Sequence, residues 1–560
     1  MLDIISRLKN ILKEDEVRTI VSVSGKYGRS ELKAYDSGIA IVESALAIEP
    51  GSLVGIHERG RVDPIGFVVD VKVERLSRKL VLHASVAKGD IPDSFEMAEA
   101  EFLYSLRERM RILDRAEQII SRFRFVPTEK VKTESLEQPH LSLDEYELKA
   151  VEASLSLEDG EMLLVMGPPG TGKTQFIAEA ARILAKKEKV FVTSQTHQAV
   201  DNMFERLPPS CSDYALRIGS HLKISDEARR FSPEHKYLEN VPENTNDNDL
   251  AKEYVRRFEK IKLAQKDILT KNSFLVGATV TKSITDPLKE KQFDIVFIDE
   301  AHNLCFSSAL LALDRTKKAV IVGDYWQLPP IYKSCNKLND RVKFSTFNLF
   351  YDRMGKETQN LVWLQHHYRC NEKIIAFSSK YVYARPIRTI DKYRNQKLQL
   401  TSFAYSWLDP DKPIVFLDIE SKEEINEKKS RFNIKEAHLV SWVSGRILEA
   451  GVKPKEVIVL TPFKAQVDKI REELKGLNNL MVKTVHRYVG GERDVVVFSV
   501  AATYPSSLGF IDKRMINVFV TRAKKKLIVI GSSQAIANSE NSQLQNLYEY
   551  IQSEGLVLRL

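Results

Sequence analysis

The stretch MGPPGTGKTQF, residues 166–176, places glycines at 167, 170 and 172 ahead of a lysine and a threonine. The apolar run MLLV leads into it and the helical pattern FIAEAARILAKK follows. That order of strand, glycine loop and helix lets backbone N–H groups curl around phosphate oxygens at the positive end of a helix dipole. Gly167, Pro168, Pro169, Gly170, Thr171, Gly172 and Gln175 are expected to form the cradle. Lys173 would reach the β- and γ-phosphates, and the Thr174 hydroxyl would ligate Mg²⁺.

Two further segments supply what phosphate chemistry needs. The apolar run in FDIVFIDE ends in Asp299 and Glu300, carboxylates at a strand end, where a parallel sheet presents its ligand sites. Asp299 suits a second Mg²⁺ contact and Glu300 suits polarising an attacking water. The next strand, KAVIVGD, runs into YWQLPP and sets Gln327 at the neighbouring strand end, where an amide can contact both the γ-phosphate and that water. Near the other end of the chain, NVFVTRAKKKLIVIGS, residues 517–532, brings Arg522 and Lys524, Lys525 and Lys526 up to an apolar β-branched run. The three lysines read as a solvated face at the strand entry.

The elements that must carry these residues follow from the apolar patterning. MLLVMG, KVFVTS, SFLVGAT, DIVFIDE and KAVIVGD alternate with helical segments and predict a parallel sheet covered on both faces. LVWLQ, PIVFLDI, EVIVLTP, LMVKTVH, DVVVFSV and KLIVIGS predict a second. The fold class is therefore α/β with two doubly wound sheets in series. An N-terminal unit, residues 1–130, would hold an amphipathic helix docked on the protein's own body, an all-β barrel over 20–85 and a helical stalk over 94–123. The first α/β domain is expected over 131–345, with an insertion at about 204–270 read as a small helical subdomain or a flexible loop, and the second over 346–560.

Bulk properties narrow the class. At 560 residues, with 43% hydrophobic and 29% charged side chains, the chain has a globular composition, and no apolar run is long enough to cross a bilayer. Four cysteines without CxxC or Cys/His spacing argue against a zinc site or disulfide framework and for a reducing compartment, cytoplasmic or nuclear. The first 130 residues carry 21 basic and 21 acidic side chains, so the net charge of +8 lies wholly beyond them and suits a polyanion partner.

In order along the chain stand LDEYELKAV, GPPGTGKT, TSQTHQAVDN, IDEAH and GDYWQLPP, then HHYRCN, LTPFKAQ, YVGGERD and VTRAK. This series resembles the superfamily 1 helicases of the upframeshift type, relatives of the immunoglobulin mu-binding helicase and senataxin. The likeness covers roughly residues 140–535, and the barrel and stalk more weakly. It implies two RecA-like domains that use ATP and Mg²⁺ to move along single-stranded DNA or RNA, 5′ to 3′, as a monomer that meets duplex junctions and no membrane. Arg369 and Arg522 would face the γ-phosphate, Tyr368 would stack on the base, and Gly490 and Glu492 would lie near the sugar. Thr196, His197 and Thr279 of the first domain, and Pro462, Phe463, Gln466, Thr484 and His486 of the second, would contact the strand.

Three positions depart from the family pattern. Glu147 replaces the glutamine that reads adenine. An amide both donates and accepts, whereas an ionised carboxylate only accepts, so hydrolysis of other purine triphosphates is expected. His367 and Val489 replace glutamines beside Tyr368 and Gly490. Two other readings compete: an oligomeric AAA-type mechanoenzyme acting on protein, whose loop can also read GPPGTGKT, and a nucleic-acid clamp with slow NTPase.

Overall fold

The N-terminal helix α1 (Leu2–Val23) turns Ile5, Leu8 and Leu12 inward. Its buried Asp15 accepts from the Ser334 backbone N–H at 2.6 Å and from the Ser334 hydroxyl, so the helix docks on the protein's own body. The structure, a computed structural model, describes residues 2–23, 27–58, 61–73, 77–86, 90–125, 139–239, 241, 246–335, 337–354, 361–474, 476–477, 479–488 and 491–560. Val489 and Gly490 lie outside them. The chain divides into two compact units. One comprises Met1–Met166, Lys173–Tyr325 and Pro329–Trp363; the other comprises Gly167–Gly172, Trp326–Leu328 and Leu364–Leu560.

In the first unit, strands β1 (Gly28–Asp36), β2 (Ile39–Ser44), β3 (Leu53–Glu58), β4 (Arg61–Val73), β5 (Arg78–His83) and β6 (Ser94–Glu99) close a barrel in the order β1-β2-β5-β4-β3-β6. Ala40, Val42, Val54, Val68, Leu80, Leu82 and Met97 fill it. The last strand lies in the segment expected to be helical. SFEMAE buries every second residue at its start, the period of a strand, and it pairs with both β1 and β3. Helix α2 (Glu101–Ile112) begins only after it, and a 3₁₀ turn at Leu113–Arg115 interrupts the expected stalk.

The first sheet is parallel. Its strands are β7 (Arg124–Phe125), β8 (Glu161–Met166), β9 (Lys189–Ser194), β10 (Ala215–Arg217), β11 (Phe274–Thr279), β12 (Phe293–Ile298), β13 (Thr316–Gly323) and β14 (Leu361–Trp363), in the order β10-β11-β9-β12-β13-β8-β14, with β7 also on β8. Strand β14 was expected to open the second sheet. It instead pairs with β8, Leu361 opposite Leu164, so the compact units divide at Trp363 rather than at residue 345.

The segment 204–270 is neither an isolated subdomain nor a loose loop among its described residues. Strand β10 extends the sheet beyond β11. Helix α3 (Asp247–Leu269) packs Leu250, Ala251, Tyr254 and Ile261 against Ile39, Ile41, Val69 and Val81 of the barrel, and the Tyr254 hydroxyl donates to Asp70 at 2.7 Å.

The second unit holds a parallel sheet of β15 (Ile414–Asp418), β16 (Val457–Thr461), β17 (Met481–Thr484), β18 (Arg493–Ser499), β19 (Ala523–Gly531) and β20 (Leu556–Arg559), in the order β17-β16-β18-β19-β15-β20. Helix α4 (Lys513–Arg522) ends where β19 begins. The lysines that follow are inside the strand, not a solvated face. Lys524 and Lys525 bracket Asp494 at 3.1 and 2.8 Å. Lys526 is 1% exposed and donates to the carbonyls of Asp409 and Lys412, and burial pushes its ammonium down to about 7.

Candidate active site

Strand β8 delivers the chain into the glycine loop, and the helix that follows it starts at Lys173. Gly170 and Gly172 have φ of 76° and 83°, a region that any Cβ disfavours. The Thr171 hydroxyl donates to the Pro168 carbonyl at 2.8 Å and tightens the turn. Lys173 is buried, and its Nζ lies 3.6 Å from Glu300 Oε1.

At the end of β12 the Asp299 N–H donates to the Thr193 carbonyl of β9, and the Glu300 N–H donates to Asp299 Oδ1 at 2.8 Å. Glu300 has φ 51°, a strained backbone for a non-glycine residue. Its Oε2 lies 3.1 Å from His302 Nε2, while His302 Nδ1 accepts from the Asp324 N–H. That acceptor role puts the imidazole proton on Nε2, aimed at Glu300. His302 was not singled out from sequence, although it lies two residues beyond the carboxylate it orients.

Burial and the Glu300 charge push Asp299 up to about 7, and Lys173 pulls it back. Two carboxylates at one buried strand end suit a hard cation. Among the described residues, no group of three or more His, Cys, Asp or Glu side chains could hold a metal ion. The donor set fits Mg²⁺, which takes one or two protein oxygens and fills its remaining positions with phosphate and water.

Glu147 is committed locally. It is 1% exposed, and its Oε2 accepts from the Asp144 N–H at 2.9 Å while Asp144 Oδ1 accepts from the N–H groups of Tyr146 and Glu147. This is a reciprocal cap on the helix Glu145–Leu155.

The second unit gathers the later motifs around the loop segments that belong to it. A Cβ added at Gly170 would stand 2.8 Å from Arg369 Cβ and 2.9 Å from His367 Cε1, so the Tyr-Arg segment lies directly on the loop. The Tyr368 N–H donates to the Gly170 carbonyl at 2.8 Å. Arg369 pairs with Glu492 and donates weakly to the Thr521 carbonyl. Arg522 is 3% exposed, and its guanidinium donates to the Gln327 amide oxygen at 3.4 Å and the Gly491 carbonyl at 3.3 Å. His367 is buried and accepts from the Cys370 N–H; burial, then Arg369, hold it neutral by pushing it down to about 3.

The expected strand contacts divide more unevenly. Thr196 and Thr279 accept from the N–H groups of Ala199 and Lys282 as caps of short helices. His197 Nδ1 lies 3.1 Å from Arg217, and burial and Arg217 keep the ring neutral. In the second unit Phe463 stacks on Phe510 with centroids 5.6 Å apart, and His486 lies 6.3 Å from the same ring. Phe510 is 51% exposed and forms an aromatic face with Phe463 and His486, both expected as strand contacts. Its one sequence signal, an aromatic residue between Gly509 and Ile511, is weak. Pro462 is buried and Thr484 half-buried. Gln466 does not belong to the face. It is fully buried, its Oε1 accepts from the Asn433 N–H at 2.8 Å, and its Nε2 donates to the Asn433 carbonyl and the Ser499 hydroxyl.

Two family models, each described as an AAA domain, match this chain, one over residues 142–262 and 235–335 and the other over 345–534. The DNA replication ATP-dependent helicase/nuclease DNA2 of Bos taurus is 31% identical over 428 residues, 71% of this chain and 38% of that protein. The DNA polymerase alpha-associated DNA helicase A of Schizosaccharomyces pombe is 28% identical over 431 residues, 69% of this chain and 63% of that protein. The chain thus spans less than two thirds of either relative. The arterivirus nonstructural protein 10 (helicase) structure aligns with 94% of this chain and 82% of its own at 13% identity and a TM-score of 0.37.

Proposed function

The chain belongs to the superfamily 1 helicases of the upframeshift type, and from that premise we propose that it is an ATP-driven translocase on single-stranded nucleic acid that separates strands or strips bound protein, moving 5′ to 3′. DNA is the first substrate to test, because the relatives are a DNA replication ATP-dependent helicase/nuclease and a DNA helicase. The observation that supports this reading most is the packing of Arg369 on the phosphate loop and of Arg522 on Gln327. A cation beside each phosphate-handling segment is what phosphoryl transfer needs.

In this reading Lys173 neutralises the β/γ-phosphates, and Thr174 and Asp299 are the oxygen donors for Mg²⁺, which draws charge from the phosphate oxygens when bound. Glu300 accepts a proton as the water oxygen bonds to the γ-phosphorus and the bond to the ADP oxygen breaks. His302 holds the second oxygen of Glu300 and so orients the carboxylate toward the water. Arg369 and Arg522 stabilise the charge on the transferring group, with Glu492 orienting Arg369. Tyr368 lies against the base. Thr196, His197, Thr279, Phe463, Thr484 and His486, now joined by Phe510, form the strand contacts that nucleotide turnover shifts. Four cysteines, all free and buried, suit the reducing cytosol or nucleus. No described helix is long and apolar enough to cross a membrane.

Unwinding of 5′- and 3′-tailed DNA and RNA duplexes, beside Lys173→Ala, tests the proposal. Single-strand-stimulated ATP turnover, opening of the 5′-tailed duplex only, and an inert Lys173→Ala protein are expected. Turnover indifferent to nucleic acid in a hexameric protein would replace this reading with the mechanoenzyme. Stimulated turnover without strand displacement would replace it with the clamp.

A further inference from the structure

Away from the phosphate loop, the first unit encloses a cavity of about 140 Å³ where the barrel, helix α3 and the segment after β11 meet. Phe67 of β4 forms one wall, with Lys282 Nζ 4.3 Å from its ring centroid. Phe258 of α3 forms another, stacked on His83 at 4.3 Å. The floor is polar: the Gln265 amide donates to Glu234 Oε1 at 2.9 Å, and both side chains are more than nine-tenths buried. Burial pushes the Glu234 carboxyl up, toward its proton-carrying form. His197 lines the same cavity.

We propose that this cavity receives one base of the bound single strand, turned out of the stack, and that it favours a pyrimidine over a purine; the inference rests on the nucleic-acid reading above. Size argues for a single ring, because an apolar cavity of about 150 Å³ holds one benzene molecule. The walls argue for a base. Two aromatic rings line it, one face of each taken by Lys282 or His83, and a carboxyl beside an amide offers donors and acceptors to a base edge. Position argues for the strand: His197 and Thr279 border the cavity and are the first-unit residues on which the strand is expected to lie. The exposed Lys262, which also lines the cavity, attracts the adjoining phosphate. Turning out a base that is already single-stranded costs little pairing energy.

Oligo-dT carrying one abasic site, or one dA, moved position by position, tests this by fluorescence anisotropy with the full chain. One position should lose affinity on base removal by about 5- to 100-fold, the range of one base–aromatic stack, and a dA there should weaken binding several-fold. In Phe67→Ala and, separately, Gln265→Ala, that positional penalty should disappear while the rest of the profile stays, with melting curves checking the fold. Tight binding with a flat profile in the wild type overturns the cavity assignment and leaves the nucleic-acid reading intact. No binding of any oligonucleotide defeats that reading first and the inference with it.

Discussion

Two residues beyond strand β12 the backbone enters the left-handed region at Glu300, φ 51°, and two residues beyond β18 it does so again at Ala501, φ 56°. Both strands lie inside parallel sheets, and both bends stand beside a buried carboxylate. In the first unit, Asp299 and Glu300 face Lys173, and Glu300 lies between Lys173 on Oε1 and His302 on Oε2. In the second, Glu436 is saturated: its Oε2 accepts from Ser499 at 2.7 Å and from the Ala501 N–H at 2.8 Å, and Oε1 accepts from Asn433. Gln466 completes that network through Ser499 and Asn433. The same bend thus stands beside a lysine-facing carboxylate pair in one unit and beside a hydrogen-bond network in the other. What differs is the company each carboxylate keeps: Lys173 and His302 in the first unit, serine, asparagine and backbone donors in the second.

The sharpest break of this contrast lies with the cations. Arg522→Ala should lower kcat for ATP by about 10³- to 10⁵-fold with KM nearly unchanged, because an arginine acting on the transferring group stabilises the transition state more than the ground state. An equal loss in KM alone would make Arg522 a binding residue. Glu300→Gln keeps the shape and removes the base, and should cost about 10²- to 10⁴-fold in single-turnover hydrolysis.

Glu436 tests the other half. Burial raises its carboxyl from an ordinary 4.5 to about 7, against the lowering effect of its donors. Folding therefore takes up a proton between those values. Stability from this group is greatest below pH 4.5, falls as pH rises, and levels off above 7, a total of at most about 3 kcal/mol. Asp299 is raised as well, so the informative measurement is the difference in melting between wild type and Glu436→Gln from pH 5 to 8. The variant should lose Glu436's share of the slope while keeping hydrolysis. Collapse of hydrolysis at unchanged stability would show that Glu436 serves chemistry as well.

Legibility from sequence follows the same division. The phosphate loop could be read because its demands are local: glycines where φ is positive, a lysine at a helix start. The Asp-Glu pair could be read because an apolar strand ends in it. Burial is set by the rest of the chain and could not. Lys526 resembles its half-buried neighbours Lys524 and Lys525 in sequence, yet it is fully buried and donates to the carbonyls of Asp409 and Lys412. Gln466 sits at a motif position and is consumed by Asn433, distant in sequence. Strand β6 hid inside a charged segment of helical appearance, because only its pairing with β1 and β3 makes alternation decisive. Strand β14 has the composition of either sheet, and only pairing with β8 assigns it.

The smallest expected effect concerns Glu147, where a local role and a proposed ligand role meet in one side chain. As the third helical residue it caps the Asp144 N–H through one oxygen, and a glutamine there keeps that bond by using its carbonyl. What the amide adds is a donor, which an ionised carboxylate lacks. Glu147→Gln should therefore leave the melting temperature nearly unchanged. It should raise the ratio of kcat/KM for ATP over GTP by a few-fold, the scale of one neutral hydrogen bond of about 1 kcal/mol. A wild-type protein already as selective for ATP as the variant would mean that adenine is read elsewhere and that Glu147 serves the helix alone.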